Sequence, residues 1–263
     1  MPAFPTLTRD GQILRTLVSR DLQRQYSGLR LTYLWTFLEP AAMIAVFYFV
    51  FFLLLGRDRP LGLQPYLLFL TTAILPWWWF SRSVSACTKV FKRSSTLLTS
   101  SILPRQIWIL RTVLVGLVEF ILQLPLLVIA CLITRTAPTA FIAVFPLAIV
   151  LQFILIYSVG LLVSAWSSVF PDLARLTRVF MRVIFYFSPI IYSVNNIPEA
   201  IRPIAALNPL VAIFEVYRVG FWPQEFDSWS RLAVGISIIL ILLIAGTITF
   251  NRLEGRVLKS VMR

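Results

Sequence analysis

Histidine is absent from this 263-residue sequence, and cysteine occurs only twice. Without histidine there is no imidazole base and no histidine metal site. Cys87 and Cys131 lie in different apolar runs with no metal-ligand spacing. They read as small packing residues. Lysine is nearly absent too: Lys89, Lys92 and Lys259 stand against 21 arginines, and none of the three follows a glycine. The pattern GxxxxGK[ST] is therefore missing, and with it a phosphate-cradling loop for ATP. HExxH, CxxC and GxSxG are missing as well. Acidic residues number 11 and do not cluster; Asp10, Asp21 and Asp172 make a poor metal site. That argues against a membrane-embedded glycosyl- or phosphotransferase. No repeat, linker or low-complexity segment breaks the chain, and the inverted repeat of many secondary transporters is not visible.

Apolar sequence is what the chain has in excess. Hydrophobic residues make up 59%, and the mean hydropathy is +0.84. A soluble domain of this length is not so apolar. Six runs approach the ~20 residues that cross a hydrocarbon core. They are Tyr33–Leu55, Tyr66–Cys87, Ile107–Ile133, Phe141–Trp166, Leu173–Tyr192 and Leu232–Phe250. The expectation is one all-α integral membrane domain over 1–263. The polar, Arg-rich start reads as something other than a cleavable signal peptide.

Charge sets the expected orientation. Arg9, Arg15, Arg20, Arg24 and Arg30 precede the first run. Lys89, Lys92, Arg93, Arg105 and Arg111 follow the second. Arg175, Arg178 and Arg182 stand in the turn before the fifth, and Arg252, Arg256, Lys259 and Arg263 in the tail. The opposite side has Arg57, Arg59, Arg135, Arg202, Arg218 and Arg231. The positive-inside rule places both termini in the cytoplasm. Basic residues in short loops that flank spans argue against nucleic acid as the partner.

Residues 9–26, RDGQILRTLVSRDLQRQY, form an amphipathic pattern rather than a span. Ile13, Leu14, Leu17, Val18, Leu22 and Tyr26 share a face, and Arg15, Arg20 and Arg24 fall largely elsewhere. A basic amphipathic helix suits the membrane interface. Glu39 and Glu119 fall within apolar runs; each reads as a proton-relay acid or, preferably, as a carboxylate paired with an arginine or a backbone donor. The stretch SSTLLTSSIL is too polar to span and can form a short helix ended by Pro104. The stretch FSPIIYSVNNIPEAIRPIAALNP is apolar, yet Pro189, Pro198, Pro203 and Pro209 cut it into pieces too short to cross. Aromatics read mainly as lipid-facing belts and core; for a subset, a path for sugar rings is the functional alternative.

Three stretches carry a family likeness: RDLQRQYSGLRLTYLWTFLEP (20–40), ILPRQIWILR (102–111) and SVFPDLARLTRVFMRVIFYFSPIIYSVNNIPEAIRPIAALNPLVAIFEVYR (168–218). The chain resembles type-2 ABC transporter permeases of the kind that export O-antigen, capsule, galactan or teichoic acid. Glu39 stands where that family more often has Asn, Thr32 where Gly is common, and Pro171 where Arg is usual.

The resemblance implies a membrane-spanning permease subunit that moves a cell-surface polysaccharide or lipid-linked glycan outward. It implies no catalytic residue or metal site in this chain; ATP and Mg would sit on the partner. It implies a multi-pass protein of the bacterial cytoplasmic (inner) membrane, acting as a homodimer with two ATP-binding subunits. Six transmembrane helices, the interface helix 9–26, a coupling helix 94–102 and re-entrant outer-leaflet gate helices within 195–225 are expected. Coupling would fall to Arg93, Ser94, Ser95, Thr96, Leu97, Leu98, Ser101 and Arg105. Substrate would be admitted past Arg15, Arg20, Arg24, Tyr26, Trp35 and Glu39, where Arg suits phosphate through its bidentate donors. Phe47, Tyr48, Phe51, Phe185, Tyr186 and Tyr192 would be the channel aromatics. Pro189, Asn195, Asn196, Pro198, Pro203, Asn208 and Pro209 would build the gate. A drug or lipid exporter of the same family is the alternative, and a proton-coupled secondary transporter a further one.

Overall fold

The computed structural model describes residues 9–26, 30–55, 63–93, 104–170, 172–226 and 229–261. No strand occurs among them. The described residues start with α1 (Arg9–Tyr26), then α2 (Arg30–Tyr48), which continues into a π-helical segment, Phe49–Leu54. Next come α3 (Tyr66–Cys87), the single turn α4 (Val90–Arg93) and α5 (Gln106–Thr134). A 3-10 turn at Ala140–Val144 leads into α6 (Phe145–Val169), followed by α7 (Leu173–Phe187). The short α8 (Arg202–Ala206) and α9 (Pro209–Val219) precede α10 (Trp229–Val261).

Proline chemistry sets several of these ends. α7 stops at Phe187 because Pro189 drives Ser188 into extended backbone, φ −96° and ψ 146°. The fifth run therefore ends five residues before the expected Tyr192. α9 begins with Asn208 as cap and Pro209 in the first turn, where a missing N–H costs nothing. Arg175, Arg178 and Arg182, expected in a turn, lie inside the body of α7.

α3 is the centre of the bundle. It packs on α2, α5, α6, α7 and α9, and most of its residues are buried. Gln152 of α6 donates to the Pro76 carbonyl at 2.7 Å, pinning α6 to α3 at its proline. The most extensive helix contact is between α6 and α10. Gly246 permits it: a Cβ there would stand 2.7 Å from the Ser158 carbonyl oxygen.

Among the described residues four segments are long and apolar enough to cross a membrane: Leu34–Leu54, Gln106–Thr134, Ala140–Val169 and Trp229–Gly255. The pair Glu199–Ala206 and Pro209–Val219 qualifies only jointly, and is bent by 94°. Two of the six expected spans are not in this set, for different reasons. α7 has 15 residues, about 22 Å of helix, short of a ~30 Å core. α3 has 22 residues but carries Thr71, Thr72, Trp77, Trp78, Trp79 and Arg82. Enclosed by other helices, it does not need a lipid-compatible surface.

Candidate functional site

α1 lies against α5 as its pattern requires. Ile13, Leu14, Leu17, Val18 and Leu22 are half-buried, while Arg15, Arg20 and Arg24 are exposed. Its inward polar residues then meet polar residues of the bundle. Arg111 of α5 grips the Asp21 carboxylate with two donors, Nε to Oδ2 at 2.5 Å and Nη2 to Oδ1. The same guanidinium lies 5.2 Å from the Trp108 ring centroid. Gln25 donates to Glu119 at 2.5 Å, and Gln123, one turn further along α5, donates to the Thr36 carbonyl at 3.2 Å. α1 and α2 are thus both tied to one face of α5.

Between α1, α3 and α5 lies a cavity of about 650 Å³. Its wall includes Asp21, Arg24, Gln25, Arg82, Ser83, Trp108, Arg111 and Glu119. Arg82 contacts Glu39 of α2 at 3.7 Å, with both side chains more than 40% exposed. Arg24 has no ion pair among the described residues. Ser83 Oγ and Trp108 Nε1, both buried in the cavity wall, lack a hydrogen-bond partner. Buried polar atoms left unmatched cost about 1–3 kcal/mol each. Gly116 keeps α5 close to α3 here; a Cβ would approach Ser83 Oγ to 2.2 Å. Arginines beside carboxylates and neutral donors suit a ligand that carries both an anionic group and hydroxyls.

Of the residues expected to admit substrate, Arg24 lines this cavity and Glu39 borders it through Arg82. Arg15 lies instead on a separate, mainly apolar groove with Leu14, Val18, Leu114 and Leu117. Arg20 and Trp35 are exposed and line neither cavity. The side chains of Tyr26 and Arg93 are outside the described set. Gln25, Arg82, Ser83, Trp108 and Arg111 were not expected at a site. The one signal was Arg82, a lone charge near the end of an apolar run. The two acids weighed as proton carriers have local partners, Arg82 for Glu39 and Gln25 for Glu119.

Residues 94–103, which include Ser94, Ser95, Thr96, Leu97, Leu98 and Ser101, lie outside the described residues. Arg105, at the start of α5, pairs with Glu254 near the end of α10.

At the other end of the bundle Pro203, Asn208 and Pro209, three of the expected gate residues, belong to a bent helical pair and its break. α9 is enclosed by α3, α6 and α10 rather than lying on the surface. Asn208 accepts from the Leu210 N–H at 3.1 Å and donates to Ser188 Oγ at 2.9 Å, fastening the bend to the end of α7. Pro189 is buried beside it, and Pro198 and Pro203 are exposed. Asn195 and Asn196 lie in a 3-10 turn. Arg202 caps this loop by donating to the carbonyls of Ile197 and Asn195 at 2.9 and 3.1 Å. Arg218 is buried, its guanidinium carbon 3.7 Å above the Phe69 ring. Tyr66 donates to the Ile191 carbonyl at 2.7 Å.

The expected channel aromatics divide. Phe185 is buried, with its ring centroid 5.4 Å from those of Phe47 and Trp77. Phe47, Phe51 and Tyr48 are partly buried, Tyr48 stacking on Phe52 at 4.8 Å. Tyr186 is 62% exposed, and Tyr192 donates to its carbonyl at 2.9 Å.

Comparison with known proteins agrees with this geometry of long apolar helices. The chain is similar to the O-antigen export system permease protein RfbA of Myxococcus xanthus, 26% identical over 95% of each chain. It is similar to the protein of the same name from Klebsiella pneumoniae, 26% identical over 93% of each. It is also similar to the polysialic acid transport protein KpsM of Escherichia coli, 22% identical over 94% of this chain and 95% of that one. A profile of the ABC-2 type transporter family matches residues 12–222. The chain is a multi-pass membrane protein and belongs to the ABC-2 type transporter family.

Proposed function

We propose that this chain is the permease subunit of an exporter that moves a cell-surface polysaccharide, or a lipid-linked precursor of one, out of a bacterial cytoplasm. The observation that carries this reading is likeness along nearly the whole chain to proteins named for O-antigen export and for polysialic acid transport. Two copies form the pore, and two separate ATP-binding subunits hydrolyse ATP below it. Residues 94–102 dock into those subunits.

In this reading α2, α3, α5, α6, α7 and α10 are the six spans, and both termini are cytoplasmic, as the arginine distribution supports. α3 crosses without a lipid-compatible surface of its own because protein surrounds it. α8 and α9 re-enter the outer leaflet; non-helical backbone is tolerated at that depth only where protein or a cavity satisfies it. The cavity between α1, α3 and α5 faces the cytoplasmic side and admits the anionic end of the substrate. α2 and α7 line the conduit. The pairing of Glu39 and Glu119 within the chain favours this reading over a proton-driven carrier.

The test is co-purification with the ATP-binding protein encoded beside it, followed by ATP hydrolysis in lipid. Leu97→Asp with Leu98→Asp should abolish docking and activity, and the glycan assembled by neighbouring glycosyltransferases should stimulate the intact complex. No bound ATPase would refute the reading. Stimulation by a lipophilic drug and not by glycan would favour a drug exporter.

A further inference from the structure

Arg218 is a buried cation that the cavity at α1 does not use. It lies on α9 and is 6% exposed. Its guanidinium covers Phe69, with Cζ 3.7 Å from the ring centroid. Nη2 reaches the carbonyls of Phe69 and Ile190 only at 3.5 and 3.4 Å. Nε and Nη1 make no hydrogen bond, and Arg218 has no ion pair among the described residues.

Glu215, about one turn earlier on α9, is engaged by another cation. Arg231 of α10 grips its carboxylate with two donors, Nη2 to Oε1 at 3.1 Å and Nε to Oε2 at 3.3 Å. Such a forked pair matches one carboxylate to one guanidinium. Of these three charges, Arg218 is the one in excess.

Between α9, the start of α10 and the loop that follows α7 lies a space of about 30 Å³. Its wall includes Arg218, Glu215, Arg231, Ser193, Asn195 and Trp222. Ser193 Oγ accepts from the Asn195 N–H at 3.3 Å, which leaves the hydroxyl proton of Ser193 to donate. The space fits an occupant about the size of a water molecule, and no sugar or phosphate ester. A water would meet an N–H donor and leave the charge unmatched. An unmatched buried charge is the costlier fault. A small monovalent anion answers both.

We propose that this space is a binding site for a monovalent anion of halide size, with chloride as its ordinary occupant. The Arg218 guanidinium and the Ser193 hydroxyl hold it. The anion joins α9 to the loop after α7, and it lies beside the pair that joins α9 to α10. It therefore stabilises the bent segment as a structural ligand. The site is separate from the cavity at α1, and the inference does not depend on what is exported.

The test uses the full chain in detergent, in sodium gluconate, with chloride replacing gluconate at constant ionic strength. At about 100 mM, chloride should raise the thermal midpoint by about 2–4 °C. Arg218→Met should melt at the same temperature in both salts. The NMR line of free chloride should broaden with the parent protein and stay sharp with Arg218→Met. Bromide should compete and sharpen the line, while sulfate, too large for the space, should leave it broad. Equal midpoints of the parent in the two salts would mean that water fills the space, and would overturn the proposal. A chloride effect that Arg218→Met retains would be a bulk salt effect and would overturn it too. If that variant does not fold, the parent alone decides. Absence of broadening, or broadening that sulfate reverses as well as bromide does, would assign the chloride to no site or to surface arginines.

Discussion

Asp21 and Arg111, 90 residues apart, meet in a two-pronged ion pair that fastens the amphipathic helix α1 to α5. Their side chains are 28% and 12% exposed, so the pair is partly shielded from water. Losing one partner leaves the other charge half-buried. Asp21→Asn and Arg111→Gln should each lower unfolding stability by about 2 kcal/mol. The double variant should cost less than the sum of the two, with a coupling of about 1–3 kcal/mol. Thermal unfolding of the three variants in one detergent measures this; additive losses would mean that the pair does not hold α1.

Gly116 sits where α5 passes closest to α3. A Cβ there would meet Ser83 Oγ at 2.2 Å and Trp79 Cδ1 at 2.8 Å. Gly116→Ala should therefore destabilise by about 1–3 kcal/mol through overpacking, despite alanine's better helix propensity. Adding Ser83→Ala removes the closer clash and should recover part of the loss. Melting temperatures of the single and double variants decide it.

Asn208 does two jobs that substitution separates. Its Oδ1 caps α9, and its Nδ2 holds Ser188 at the end of α7. Asn208→Ala should cost about 1–2 kcal/mol. Asn208→Ser keeps a cap and loses the tie, so it should retain most of the stability while loosening the bend. Amide hydrogen exchange in residues 188–210 should then quicken in Asn208→Ser. Unchanged exchange would show that packing alone holds the bend.

Arg218 is buried above Phe69 and donates weakly, at 3.5 and 3.4 Å, to the carbonyls of Phe69 and Ile190. Its Nε has no partner. A buried charge held so loosely adds little stability for the cost of removing it from water. Arg218→Met, which keeps the volume, should fold within about 1 kcal/mol of the parent. Arg218→Ala should cost about 2–4 kcal/mol through the cavity it leaves. If Met costs as much as Ala, the charge itself holds α9 in place.

Local pattern alone determined a good deal of this protein. The 9–26 helix has the observed bounds, and α3 is the run Tyr66–Cys87. Their periodicity and flanking breakers are properties of neighbouring residues. The likeness of 20–40, 102–111 and 168–218 to the exporter family was also legible, because motifs are linear. The tertiary structure decided what those segments do to one another. It enclosed α3, with Thr71, Thr72 and Ser83, at the centre, where burial among helices replaces lipid contact. It paired Asp21 with Arg111 and Gln25 with Glu119 across 90 and 94 residues, and so built the cavity at Arg24, Arg82 and Trp108. It moved Arg175, Arg178 and Arg182 from an expected turn onto one face of α7. Helical period is written along the chain. Which faces meet depends on the packing of all the helices together, and no single segment carries that information.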